Sequence, residues 1–348
     1  MTASLTKISI TTRKIIRYSI YGFIAIILTR ALILGAIKIY KIYNPDPPPP
    51  AEVKYGRLPS LPFPQQDGPM GLTYMLETPT GGFPEFSHLA NVFLMPRVGS
   101  QLLSLDYAQT IANKLKYLPE GDKVTETIYK FYHKDIPSEL QVNIATGIFS
   151  LSYNLEADPS PLEHKPPLPE VAASKARGFI SGAGLLPDDL KGPTKHEFVK
   201  LKDGKIVGVI SHADAQFTKV YLFRTDYDEL PSLTSNPDKG NVWFIVSGEG
   251  RGKTIIAAEY HYFPVDETSF SSYPIITPQV AWEDLNNGKG FVARLGNNPS
   301  KNITVRRIYL AYFDPGEITS FYQPIFVFEG DNDFLAYVPA VTPEYYGN

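Results

Sequence analysis

Hydrophobic positions are densest over residues 15–43, where ten Ile and three Leu fall among few polar residues. A helix that crosses a bilayer needs about 20 mostly apolar residues, and residues 18–37 supply twenty with a single charge, Arg30. On insertion scales a central Arg costs about 2.5–3.5 kcal/mol while each Ile or Leu returns about 0.3–0.6, so the aliphatic run offsets it. Arg30 can snorkel to the interface or meet a partner helix, and it is the one candidate site residue, as an intramembrane contact. Lys7, Arg13, Lys14 and Arg17 precede the span, against Lys38 and Lys41 at its end. That bias predicts a cytoplasmic tail over 1–17, a transmembrane helix over 18–43 and extracytoplasmic domains beyond it. A cleaved signal peptide is the competing reading, but the apolar sequence runs on past Thr29 and no small-x-small cleavage site follows.

The pattern then breaks into prolines, eight of them over residues 45–64. Such density favours an extended polyproline conformation, and 44–66 is expected to be a stalk, of which residues 44–64 would reach up to roughly 65 Å at about 3.1 Å per residue. A second cluster, Pro159, Pro161, Pro166, Pro167 and Pro169, marks a linker over 158–169 between a first lobe, 67–157, and a second, 170–348.

Within the lobes one unit recurs, a short amphipathic helix followed by antiparallel strands. Tyr107, Ala108, Ile111, Ala112 and Leu115 make one apolar helical face, with Ser104 as N-cap. Val171, Ala172, Ala176, Phe179 and Ile180 make a second, which stops in Ser181-Gly182-Ala183-Gly184. A third helix opens at Thr277-Pro278, a cap followed by Pro at the first helical position, and ends near Gly288. Strands at 140–144 and 148–154 flank Ala145-Thr146-Gly147, and those at 197–202 and 205–212 flank Asp203-Gly204, a strong hairpin signal. Residues 303–313 alternate as a strand, and 324–329 turns through Gly330-Asp331-Asn332-Asp333 into 334–338. The predicted class is therefore α+β: one transmembrane helix, then repeats of a helix on antiparallel sheet.

Composition narrows the chemistry. The net charge is only −3 with 20% charged residues, which leaves no electrostatic footprint for nucleic acid. The chain has no Cys, so thiolate catalysis, Cys-ligated zinc and disulfides are excluded. Tyr and Phe, at 22 and 20 residues, lean toward β structure. The segment from Ser247 through Gly248, Gly250 and Gly252 to Lys253-Thr254 imitates a phosphate loop, but Ser247 stands where that loop needs Gly. The residues after it, Ile255-Ile256-Ala257-Ala258-Glu259-Tyr260, read as a strand, whereas a phosphate loop must open a helix. A glycine-rich hairpin is expected there, and no nucleotide. Asp331-Asn332-Asp333 lacks the remainder of a calcium loop, and His212-Ala213-Asp214 is a lone pair at a strand end. No Gly-x-Ser-x-Gly or His-Glu-x-x-His motif occurs, so neither catalytic residues, a cofactor nor a metal site is expected.

Residues 273–288, beginning Tyr273-Pro274-Ile275-Ile276-Thr277-Pro278 and continuing through Ala281-Trp282 to Gly288, resemble a segment of the YycH/YycI regulatory proteins and the related PepSY-type domains. The strand with Ile308-Tyr309-Leu310, the strand Tyr322-Gln323-Pro324-Ile325-Phe326-Val327-Phe328 and the closing Leu335-Ala336-Tyr337-Val338 extend that likeness over 273–341. It is fainter over 106–154 and 170–224. The resemblance implies a non-enzymatic, membrane-anchored regulator that contacts a sensor kinase or another membrane or envelope protein. A structural or assembly component of the cell envelope is the alternative, and an enzyme with dispersed catalytic residues a third.

Overall fold

A computed structural model describes residues 2–43, 50–66, 71–96, 105–250, 252–298 and 301–347, and the chain divides into two units, 1–50 and 51–348. The first contains helix α1 (Thr2–Tyr43). Its stretch Ile16–Tyr40, 25 residues long and wholly unburied, is long and apolar enough to cross a membrane. Tyr18, Phe23, Ile26 and Leu32 are all exposed, and at 3.6 residues per turn they point to different sides of the helix.

The second unit is mostly sheet. It opens with β1 (Thr73–Leu76), β2 (Leu89–Leu94) and α2 (Leu105–Lys114). Four strands follow: β3 (Asp122–Lys123), β4 (Ile128–Tyr132), β5 (Ser138–Asn143) and β6 (Phe149–Tyr153). After α3 (Pro169–Gly182) come β7 (Thr194–Lys202), β8 (Lys205–Val209), β9 (Phe217–Leu222), β10 (Ser232–Thr234), β11 (Val242–Val246), β12 (Ile255–Tyr260) and β13 (Asp266–Pro274). Helix α4 (Pro278–Asn286) leads into β14 (Phe291–Arg294), β15 (Asn302–Asp314), β16 (Phe321–Tyr322), β17 (Pro324–Gly330) and β18 (Leu335–Pro339). The class is mixed α+β, as the periodicity predicts.

The expected division into two lobes does not hold. One nine-stranded antiparallel sheet, ordered β3-β4-β5-β6-β12-β11-β9-β7-β8, draws strands from both sides of the proposed linker. Its central seam pairs β6 with β12, Ala257 lying opposite Ser152. Helices α2 and α3 cover the same face of it, through Ala108, Ile111 and Ala112 from one and Ala172, Ala173, Ala176 and Ile180 from the other. The alanines of α3 let it approach β9 and β11 closely, while α2 packs on β5. Val171, expected inside, is 46% exposed, and Ala173 takes the inward place. Helix α4 packs instead on a six-stranded sheet, β1-β15-β17-β18-β14 with β10 also on β15, in which β1 and β10 run parallel to β15. A three-stranded sheet, β13-β2-β16, completes the unit.

Neither proline-rich segment is a free connector, and neither is extended throughout: the chain turns at Val53 and Gly56, both at positive φ, and Ser160–Glu163 forms a 3-10 helix. Of the expected stalk, 44–49 lies outside the described residues, whereas the following stretch is bonded to the body. Leu58 is 1% exposed and its N–H donates to Tyr345 O at 2.8 Å. Phe63 stacks on Phe291 at 5.1 Å, and Gln323 donates to Pro59 O at 3.0 Å. Within 158–169, Pro167 O accepts from Thr218 and Leu162 packs against the nine-stranded sheet. Proline removes a donor and fixes φ, but it leaves a carbonyl that a packed neighbour can bond.

Candidate functional site

The α-helices described in the second unit, α2 to α4, all end in the same hydrogen-bonded cap. At α3, Leu185 N–H bonds back to Ile180 O and Gly184 N–H to Ser181 O; at α4, Lys289 and Gly288 repeat the pattern on Asp284 and Leu285. At α2, Tyr117 N–H reaches Ala112 O at 2.8 Å and Lys116 N–H reaches Asn113 O at 3.0 Å. This motif places one residue in the left-handed region, where glycine is preferred. Gly184 and Gly288 fill it with φ of 69° and 74°, but α2 uses Lys116 at φ 70°. A non-glycine there costs about 1 kcal/mol.

Lys116 lines a cleft of about 410 Å³ together with Lys114 and Leu115 from the same helix end. Lys175, Gly178, Phe179 and Gly182 face it from α3, at the i, i+3, i+4, i+7 spacing of one helical stripe. His133, Gly252, Thr254 and Ile255 close it, so the lining holds three lysines and an imidazole but no carboxylate. Gly178 lies inside α3, where glycine costs roughly 1 kcal/mol relative to Ala. Nothing stands within 4 Å of the place its Cβ would occupy, so tight packing does not require it.

The imidazole is held by its surroundings. Asp135 N–H donates to His133 Nδ1 at 3.1 Å, and the ring stands edge-on to Tyr117 at 5.1 Å. With Nδ1 accepting, the neutral ring carries its proton on Nε2. Burial lowers its pKa from the ordinary histidine value, opposed by Asp135 and reinforced by Lys116. Lys175 Nζ lies 3.4 Å from Ser247 O. Apolar side chains of Leu115, Phe179 and Ile255 share the lining with these cationic groups.

The Gly-Lys-Thr segment contributes to the cleft differently from a phosphate loop. It forms the hairpin between β11 and β12, and a strand follows it. Lys253 Nζ bonds Asp158 and Ser160, each at 2.8 Å, which with Tyr153 holds the Asp158 carboxyl well below the usual range. Ser247 Oγ donates to Lys253 O, and Thr254 Oγ1 to Glu249 O. Gly248 is dictated by packing, since a Cβ there would sit 1.9 Å from Lys165 O. The extended proline-rich chain runs directly over it.

A second polar cluster is centred on a buried guanidinium. Arg224, its side chain 1% exposed, donates from Nη1 to Asp189, from Nε to Asp314 at 3.0 Å and from Nη2 to Phe263 O at 2.5 Å. Tyr227 and Tyr262 donate to the same Asp189 carboxylate at 2.5 and 2.8 Å. Burial works against the Arg224 charge, yet Asp314 and Asp189 hold it protonated. With Nε, Nη1 and Nη2 all engaged, the cluster joins elements: Arg224 follows β9 of the nine-stranded sheet, and Asp314 ends β15 of the six-stranded one.

Of the residues singled out in the sequence, Arg30 lies exposed on α1 within the apolar stretch, in the other unit. Asp331, from the acidic turn, is taken by Arg306, whose Nη2 approaches it at 2.6 Å. The cleft residues come from segments far apart in sequence, so no local pattern brings them together; the one local signal is Lys114 and Lys116 at a helix end where glycine is preferred. No family model matches the chain, and no curated protein matches it. Among solved structures it is similar to an uncharacterized protein from Eubacterium rectale ATCC 33656, with 12% identity, a TM-score of 0.39, and coverage of 76% of this chain and 88% of that one.

Proposed function

We propose that this chain is a single-pass, membrane-anchored regulatory or protein-interaction protein whose 51–348 unit works by binding rather than by catalysis. The observation that carries the reading is the unburied apolar stretch Ile16–Tyr40. A helix that is apolar on all sides finds its low-energy environment in lipid or in a large core, and this one has no core around it. In this reading the basic residues before the stretch stay cytoplasmic and the sheet-rich unit lies outside. The likeness of 273–341 to the YycH/YycI proteins falls on α4 and β14 to β18, and it supports a non-enzymatic role with a membrane or envelope protein as partner. Arg30 is then the residue by which the span itself contacts that partner.

A periplasm-active reporter enzyme fused after Pro50 should be active in bacterial cells, and the same reporter fused before Tyr18 inactive; the reverse pattern overturns the orientation. Crosslinking in intact cells should recover a membrane protein with the wild-type chain and less of it with Arg30→Leu. A chain recovered reproducibly as a solitary monomer would overturn the interaction role.

A further inference from the structure

Two residues that line the same cleft, Lys116 and Gly178, differ from those that their helical positions favour. Lys116 occupies the left-handed cap position that α3 and α4 give to Gly184 and Gly288. Gly178 interrupts α3 where an alanine would meet nothing within 4 Å. The first substitution places a cation at the cleft and the second keeps the cleft open. Strained or suboptimal residues that gather at one cavity point to a function there.

Charge supplies the second line of argument. Lys123, Lys130, Lys195, Lys253 and Lys289 each pair with a carboxylate. Lys114, Lys116 and Lys175 make no such ion pair among the described residues, and they converge on one cavity beside His133. The helix end at α2 attracts a cation by its dipole, which accounts for one lysine but not for the lysine on α3 or for the choice of the left-handed position. Phe179 adds an apolar surface to the lining of the same cleft.

We propose that this cleft binds a small organic oxyanion, a phosphate or carboxylate carried on an aromatic or other apolar group. The ammonium groups of Lys114, Lys116 and Lys175 engage the anionic head by charge-assisted hydrogen bonds, and Phe179, with Leu115 and Ile255, takes the apolar part. Gly178 and Gly182 leave the room it occupies. The assignment stands on the 51–348 unit alone and does not depend on the membrane reading.

The test is isothermal titration calorimetry on the full chain in a non-ionic detergent, with phenyl phosphate and benzoate as probes and inorganic phosphate and benzyl alcohol as controls. At least one aromatic anion should bind, more weakly as salt is raised, with inorganic phosphate about tenfold weaker and the alcohol inert. Which aromatic anion binds better identifies the head group. Lys175→Gln should weaken binding about tenfold or more. Lys116→Gly and Gly178→Ala are the decisive variants, because each should raise thermal stability while weakening binding, so that loss of affinity cannot be ascribed to misfolding. Failure of both aromatic anions to bind at millimolar concentration overturns the proposal. So does unchanged affinity in Lys116→Gly and Lys175→Gln.

Discussion

Arg224 shows what a single buried side chain can hold together. One guanidinium serves two carboxylates, Asp189 and Asp314, and the excess negative charge is met by the hydroxyls of Tyr227 and Tyr262. Replacing Arg224 with Met would keep much of the volume but leave both carboxylates buried without their cation. Loss of one partner from a buried pair costs about 3–5 kcal/mol, so Arg224→Met should lower the urea midpoint of the second unit by that equivalent, read by circular dichroism at unchanged slope. Asp314→Asn, which leaves Arg224 bonded to Asp189, should cost less. An Arg224→Met protein as stable as wild type would mean that the cluster is neutral to folding. At this scale the sequence is legible where a residue has a local role: Thr277 does cap α4, accepting from Val280 N–H, and Asp203-Gly204 does turn β7 into β8 with both φ positive. It is silent where the partner is remote, as for Arg224, or where an atypical residue takes a stereotyped place, as Lys116 does.

At the scale of elements, periodicity finds the three α-helices described in the body within a few residues, because each has a buried stripe. The exception, Val171, shows what periodicity lacks: the phase of α3 is set by how closely the sheet approaches, which selects the small Ala173 over the larger Val171. The proline-rich segments show the same limit more strongly. Their composition favours an extended backbone, but the partners of 51–66 include Tyr345 and Tyr346, and no local pattern announces them. The segment therefore belongs to the core. Leu58 packs with Val92, Tyr273 and Val341, and Leu58→Ala should destabilise the second unit by about 2–5 kcal/mol, seen as a lower urea midpoint, while Arg57→Ala at the neighbouring exposed position should change it by less than about 0.5. Equal, negligible effects from both would restore 51–66 as a stalk.

For the whole 51–348 unit, the question is whether its sheets fold as one. Two lobes joined by a linker would unfold separately, but here β6, from before the proline cluster, pairs along β12, from after it, and that register carries no sequence signature. The Arg224 cluster then ties the end of β9 to the end of β15, so neither sheet can open without exposing a charge network. Chains of this size often unfold through intermediates, which makes the expectation a strong one: the unit should unfold in a single cooperative transition. The chain's two tryptophans are placed to check it, since Trp243 lies in β11 of the nine-stranded sheet and Trp282 in α4, against the six-stranded one. Fluorescence of Trp243→Phe and Trp282→Phe variants, each reporting from the tryptophan that remains, should give urea transitions that coincide once each variant's own stability is measured by circular dichroism. Separated transitions would divide the unit into two folding bodies, with Arg224→Met then widening the gap between them.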